Sequence, residues 1–201
     1  MGLLKRAHAG ACRFPPEFAG FTAAVHTSAS PDVGRLEARG KRDFDLSGGD
    51  EWAREQVASI LGHRWASDFH TEGDGRYGHR EEHDGDPAGT MVFLEDDPMA
   101  SAYRITGEDE IAEVHRTAGD TKFTIVISGG LDTGQGRLPQ HFSVYYWSVS
   151  SGQLTRVEQF RDRYVQVGTV WLPQRRVVTT VTDAGVSTRV LSFADHQLRE
   201  A

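Results

Sequence analysis

The sequence predicts a mainly β (α+β) protein built on one long, strongly curved antiparallel sheet. We expect a half-barrel of about nine to ten strands, with two short helices packed on its concave face. From Thr90 onward apolar and polar residues alternate with a period of two. Turns of two or three residues separate these segments, which requires hairpins and therefore antiparallel neighbours. Two earlier segments repeat apolar residues every three or four positions, as amphipathic helices do.

Composition and charge restrict the class of protein. The chain has 201 residues, of which 38% are hydrophobic, so we expect a single domain over 1–201. A net charge of −7 argues against nucleic-acid binding, which needs clustered cations. Cys12 is the only cysteine, which fits a reducing compartment. The N-terminus lacks the apolar stretch of a signal peptide, and we expect a soluble, cytoplasmic protein with no membrane insertion.

Individual segments follow from caps, breakers and periodicity. Asp50 is a good N-cap for the second helix, and Pro15-Pro16 ends the first. In chain order the sequence predicts a helix over 2–13, a hairpin over 18–46, a helix over 51–62, an irregular loop rich in His, Asp and Gly over 63–87, and an antiparallel meander over 90–196. The candidate strands of the meander are 90–95, 101–106, 110–117, 121–128, 140–149, 153–166, 169–183 and 186–195.

Alternation also predicts which side chains share a face of their strand. On one strand these are Phe123, Ile125 and Ile127, and on the next they are Phe142, Val144 and Tyr146. One face of such an antiparallel sheet is packed and the other meets water.

Several short motifs carry a family resemblance. They are Phe-Ala-Gly-Phe-Thr-Ala over 18–23, Tyr-Tyr-Trp over 145–147 before a Ser-Gly turn, and the segment 164–173 with its Val-Gly and Leu-Pro. With them the chain resembles, over most of residues 1–198, an uncharacterised bacterial and plant-plastid family of unknown function. The order of elements is similar to the curved half-barrel of bacterial lipoprotein carriers. The resemblance implies a bent antiparallel sheet with helices plugging an apolar concavity, and it implies no catalytic residues.

The loop 63–87 contains the best metal-ligand spacing in the chain. His79 and His83 lie four residues apart and would face one side of a helical turn, as zinc ligands do. Glycines at 75, 78 and 85 oppose a helix there, and a solvated acidic loop is the alternative. We predict no cofactor and no metal.

The aromatic residues indicate which ligand chemistry to expect. A curved sheet closed by only two short helices is hard to fill with side chains, and large barrels often leave a ligand cavity. We therefore predict that the concavity binds a hydrophobic or lipid-like small molecule. Its candidate contacts are Trp52, Trp65, Tyr103, Tyr146, Trp147 and Trp171.

Two other functions stay open on the sequence. In the first, the protein is an enzyme that acts on a hydrophobic intermediate bound in the same cavity, by general acid–base chemistry. Its candidate catalytic residues are His26, His115, His141 and Glu158, because strands can present them inward. A protein–protein interaction module, using a sheet edge or a helix face, is the third possibility.

Overall fold

The computed structural model describes residues 2–200, and it is mainly β. Two α-helices, α1 (Leu3–Ala9) and α2 (Glu51–Arg64), and one short 3₁₀ turn at Asp74–Arg76 accompany the strands. The strands are β1 (Phe21–Thr27), β2 (Ser30–Ala38), β3 (Phe44–Ser47), β4 (Gly78–Glu82), β5 (Thr90–Glu95), β6 (Ala102–Ile105), β7 (Ile111–Ala118), β8 (Thr121–Asp132), β9 (Arg137–Ser148), β10 (Leu154–Val167), β11 (Val170–Thr182) and β12 (Gly185–Leu198).

All twelve strands belong to one open sheet in the order β3-β2-β1-β12-β11-β10-β9-β8-β7-β6-β5-β4. Antiparallel pairing joins β3 to β2, β2 to β1 and β1 to β12. It also joins each strand from β4 to β8 to the next. Chain neighbours are also sheet neighbours from β4 to β12, as the short turns predicted. The antiparallel sheet with two helices is confirmed. The half-barrel curvature and the lipoprotein-carrier plan remain predictions.

Twelve strands exceed the predicted nine to ten for two local reasons. The predicted strand 33–46 is split by a turn, in which the backbone N–H groups of Arg39 and Gly40 both donate to the carbonyl of Asp43. The second addition, β4, lies inside the predicted irregular loop 63–87. All five of its residues are exposed, so it has no apolar alternation that a sequence pattern could detect.

Both helices differ from their predicted bounds. Helix α1 ends at Ala9 rather than at residue 13, because Ala11 leaves the helix to form a parallel bridge with Arg137. Helix α2 begins where predicted, and the Asp50 carboxylate accepts a hydrogen bond of 3.1 Å from the N–H of Ala53. It continues for two residues beyond 62, to Arg64. No helix among residues 2–200 is long and apolar enough to cross a membrane.

The contacts of the chain group into two compact units. The first, unit 1, comprises the N-terminal residues up to Ala11 together with Ser67–Gln159 and Thr180–Ser187. The second, unit 2, comprises Cys12–Ala66, Phe160–Thr179 and the residues from Thr188 onward. Each unit has a buried apolar cluster of its own, and the single-domain assignment stays a prediction.

In unit 1 the apolar side of α1 packs on strands β5 and β6. Leu4 and Ala7 lie on that side and are buried. The cluster that they join contains Phe69, Val92, Leu94, Tyr103 and Ile105. Burial of this apolar surface holds a seven-residue helix that is too short to be stable alone in water.

In unit 2 the stripe of α2 formed by Ala53, Val57, Ile60 and Leu61 is almost fully buried. Its sheet partners include Val25, Leu36, Leu172, Leu191 and Phe193, which are exposed by 4% or less. The side chains of the helix and the sheet therefore fill the space between them.

A buried ion pair adds a polar constraint to unit 2. The Arg176 guanidinium donates to both carboxylate oxygens of Asp162, at 2.9 and 2.6 Å. The two side chains are only 5% and 4% exposed. Arg176 also donates to Gln56 on α2 at 3.2 Å, so the pair links the helix to two strands.

We expect Asp162→Ala to lower the free energy of unfolding by about 3–5 kcal/mol, because it leaves the Arg176 charge buried and unpaired. Urea denaturation followed by circular dichroism measures this change. The matched control is Asp43→Ala, which removes an exposed partner of Arg39 and should change stability little. Equal effects of the two variants would contradict the assignment of Asp162 and Arg176 as a structural pair.

Candidate functional site

The predicted site residues divide between the two units. Unit 2 holds Trp52, Trp65, Trp171 and His26, and unit 1 holds Tyr103, Tyr146, Trp147, His79, His83, His115, His141 and Glu158. The structure therefore does not show these residues as a single set around one centre.

The three tryptophans of unit 2 lie half-buried around its core. Trp52 and Trp65 pack on the buried cluster, and the Arg189 guanidinium lies 4.0 Å from the centre of the Trp52 ring. Trp65 meets Phe14 edge-on with ring centroids 5.0 Å apart. The carbonyl of Trp171 accepts a hydrogen bond of 2.9 Å from Arg64.

Unit 1 carries a continuous apolar surface on one side of β7, β8 and β9. The register places Val114 opposite Ile125 and Ile125 opposite Val144. It also pairs Phe123 with Tyr146 and Ile127 with Phe142. Directly opposed residues point to the same side of a sheet. We call this set the apolar face; its members are Val114, Phe123, Ile125, Ile127, Phe142, Val144 and Tyr146.

The apolar face is only partly withdrawn from water. Val144 is buried, whereas its other six members are half-buried. Of its members, only Val114 packs on the cluster beneath α1. Aliphatic and aromatic side chains of the apolar face are thus partly accessible from that side of the sheet.

A hydrogen-bonded pair of titratable residues borders the apolar face at β10. The Tyr146 hydroxyl donates to Glu158 Oε2 at 2.9 Å. The Arg156 guanidinium lies 4.0 Å from the centre of the Tyr146 ring and its Nε is 3.6 Å from Glu158 Oε1. Burial of the phenol, followed by the negative charge of Glu158, raises the pKa of Tyr146 to about 12.

A second polar border lies on the β6–β7 side. Arg116 stands opposite Phe123 in the register, and its Nη2 donates to the Tyr103 hydroxyl at 2.8 Å. That hydroxyl donates in turn to Asp74 at 2.6 Å. Burial raises the pKa of Tyr103 well above its usual value. Arg116 Nε is buried and has no hydrogen-bond partner among the residues described.

His115 lies on the opposite side of the same strands. Its register partner is Thr124, whose hydroxyl is 3.0 Å from His115 Nδ1. The other ring nitrogen, Nε2, is 3.0 Å from Glu113 Oε2. His115 is therefore held in a polar contact between strands, and it does not face the apolar face. Trp147 also lies on that opposite side and stacks with Tyr145 at 6.0 Å.

The remaining candidates are dispersed. His26 and His141 are exposed on β1 and β9. His79 and His83 are exposed as well, and His79 Nε2 lies 3.1 Å from the carbonyl oxygen of Asp74. Within residues 2–200 no group of three or more His, Cys, Asp or Glu side chains is arranged to hold a metal ion, so the structure adds no support to His79 and His83 as ligands.

Sequence reasoning did not anticipate a polar cavity of about 580 Å³ in unit 1. Its lining includes Leu3, Arg6, Glu81, His83 and Asp109, and an Arg6–Asp109 ion pair of 2.8 Å borders it. Charged walls of this kind do not suit an apolar ligand. No sequence motif predicts this cavity, because its walls come from three separate segments, 2–6, 81–90 and 105–109.

Comparison with known proteins gives a family but no function. A model of a family described as a protein of unknown function (DUF3386) matches residues 1–199. No curated protein and no solved structure matches the chain significantly.

The raised pKa of Tyr146 predicts a loss of stability in alkaline solution. The phenol titrates near pH 12 in the folded protein, against an ordinary value of 10.0. The contribution of the buried, protonated phenol to the free energy of unfolding is thus fully present below pH 10 and is lost as the pH rises through 12. We expect Tyr146→Phe to lose less stability than the wild type across this range, as measured by urea midpoints. Glu158→Gln should fall between them, and identical profiles for all three proteins would contradict the assignment.

Proposed function

We propose that this chain, which belongs to the DUF3386 family of proteins of unknown function, binds a hydrophobic or lipid-like small molecule on the apolar face of unit 1. The single observation that supports the proposal most is the row-by-row register of half-buried apolar side chains on β7, β8 and β9. Neighbouring apolar side chains that stay partly in contact with water are typical of a binding surface.

The energetics favour a flat or elongated apolar ligand. Each 100 Å² of apolar surface withdrawn from water contributes roughly 2.5 kcal/mol, before the cost of ordering the ligand. The aromatic rings of Phe123, Phe142 and Tyr146 supply large contact areas with few rotatable bonds. Two rings on neighbouring strands, Phe123 and Tyr146, lie 6.0 Å apart and form a tilted pair.

The polar borders would orient such a ligand. Arg116 and Arg156 lie at opposite borders of the row that contains Phe123 and Tyr146. A guanidinium pairs well with carboxylate or phosphate oxygens. We therefore favour a ligand with an apolar body and at least one oxygen-bearing end.

Equilibrium binding of a fluorescent fatty-acid analogue tests the proposal. We expect Ile127→Ser to weaken binding about tenfold, because the substitution removes roughly 1.4 kcal/mol of apolar contact. Native mass spectrometry of freshly purified protein provides an independent test, in which a ligand carried through purification should appear as added mass.

Val126→Ser is the matched control for that experiment. Val126 is the neighbour of Ile127, is also half-buried, and faces the other side of the sheet opposite Glu113 and Ser143. It should leave affinity within about twofold of the wild type, because on an ideal strand neighbouring side chains face opposite sides. Equal losses in both variants would show that the effect comes from damaged folding rather than from the apolar face.

A second candidate function is general acid–base chemistry on the bound molecule, favoured by the Tyr146–Glu158 hydrogen bond at the border of the apolar face. Glu158→Gln would then still bind the ligand but fail to convert it. Native mass spectrometry should show that the variant carries a molecule of different mass from that carried by the wild type. The same bound mass in both proteins would support binding without catalysis.

A further inference from the structure

Arg64 ends the buried stripe of α2 in unit 2. It follows Val57, Ile60 and Leu61 at helical spacing, so its side chain emerges on the side of the helix that faces the core. The residue is only 4% exposed. Its own carbonyl accepts a hydrogen bond of 2.8 Å from the N–H of Phe14, which fixes the preceding loop against the helix end.

Most hydrogen-bond donors of the Arg64 guanidinium have no acceptor in the described part of the chain. Its Nη2 donates to the carbonyl oxygen of Trp171 at 2.9 Å and lies 4.0 Å from Cys12 Sγ. The Nε and Nη1 atoms are buried and make no hydrogen bond to any residue described. No carboxylate in residues 2–200 lies within ion-pair distance of this side chain.

Arg176 shows how the same unit satisfies a buried arginine. Its charge meets the Asp162 carboxylate through two hydrogen bonds. An isolated buried charge costs several kcal/mol unless an opposite charge or strong acceptors accompany it. Burial does lower the pKa of Arg64, but an arginine side chain stays protonated in proteins. An anion is the partner that would satisfy both the charge and the unfilled N–H donors of Arg64.

Aromatic side chains surround the charge. The guanidinium carbon lies 4.6 Å from the ring centre of Phe14 and 5.6 Å from that of Tyr164. Phe14 also contacts Phe18 and Trp65, with ring centroids 4.4 and 5.0 Å apart. A guanidinium stacked on a ring keeps its N–H groups directed outward in its own plane, where they can meet an oxyanion.

Some side chains around this cluster keep part of their surface in contact with water. Phe18, Trp65 and Trp171 are half-buried, whereas Cys12 and Phe14 are buried behind them. Half-buried aromatic side chains would contact an apolar body attached to the anion. This chemistry differs from that of free phosphate or sulfate, which would gain nothing from the rings.

We propose that Arg64 is the anchor of a second binding site, in unit 2, for a carboxylate carried on an apolar body. Phe14, Phe18 and Trp65 form the apolar wall, and Arg64 Nε or Nη1 donates to the carboxylate. The site is built from residues other than those of the apolar face, so it stands or falls independently of the function proposed above.

Calorimetric titration of the full-length protein with phenylacetate tests the site, with neutral 2-phenylethanol as the matched ligand. We expect phenylacetate to bind and to raise the melting temperature, while the alcohol does neither at the same concentration. Arg64→Met keeps the length of the side chain and removes the charge. It should weaken phenylacetate binding about tenfold or more, because hydrogen bonds to a charged group are lost.

Two further variants separate a binding role from a structural one. Arg64→Lys keeps the positive charge and should retain weaker phenylacetate binding. Arg189→Met removes another arginine of unit 2 that lies over an aromatic ring, that of Trp52, and this variant should bind phenylacetate like the wild type. Without ligand, Arg64→Met should melt at or above the wild-type temperature, because it removes an uncompensated charge.

The outcomes decide the proposal. Equal binding of phenylacetate by the wild type and Arg64→Met, or equal responses to phenylacetate and 2-phenylethanol, would overturn it. A large fall in the melting temperature of ligand-free Arg64→Met would also overturn it, since Arg64 would then be structural. Ile127→Ser should leave phenylacetate binding unchanged, which distinguishes failure of this site from failure of the apolar face.

Discussion

The constraint on which the rest of unit 1 depends is that its strands have more apolar surface than its helix can cover. Six strands, β4 to β9, spaced about 4.8 Å apart span about 24 Å. Helix α1 has seven residues, and at 1.5 Å per residue it is about 10 Å long and about as wide. It therefore covers roughly two strands. Because β8 and β9 still alternate apolar residues, most of these side chains are only half-buried, and part of their apolar surface stays in contact with water.

In unit 2 the helix covers more of the apolar surface of the strands. Helix α2 is twice as long, with fourteen residues, and its stripe is completed by the hairpin β1–β2 and by β11 and β12. The resulting core leaves no member of the helix stripe from Ala53 to Leu61 more than 6% exposed. Two arginines of unit 2, Arg176 and Arg64, are buried, and of these only Arg176 has a carboxylate beside it among the described residues. In a core whose other described members are apolar or paired, a buried arginine without a carboxylate partner is the exception.

Period-two alternation predicted much of this architecture, because it directly reflects which face of a strand is buried. It identified the faces of β8 and β9, and the cap at Asp50 located the start of α2. It could not detect β4, whose residues are all exposed, or the turn after Arg39, whose charges resemble those of a solvated strand. The contacts at the two proposed sites were less predictable. Tyr146 and Glu158 were each singled out, but their hydrogen bond depends on the alignment of β9 with β10. Arg64 falls at an apolar position of the helix stripe, yet no pattern in one sequence shows whether an acid lies opposite.

Arginine over an aromatic ring recurs in both units and connects the two proposed sites chemically. Arg64 lies over Phe14 at 4.6 Å and Arg156 over Tyr146 at 4.0 Å. In that arrangement the ring supports the apolar stem of the arginine, and the edge of the guanidinium keeps its donors for an oxygen. The two cations differ in solvation, since the Arg156 side chain is 45% exposed and Arg64 is buried. Arg156 also lies near a carboxylate, with its Nε 3.6 Å from Glu158 Oε1. A carboxylate on the proposed ligand should therefore contribute more to affinity at Arg64, where burial reduces the screening of charge, than at Arg156.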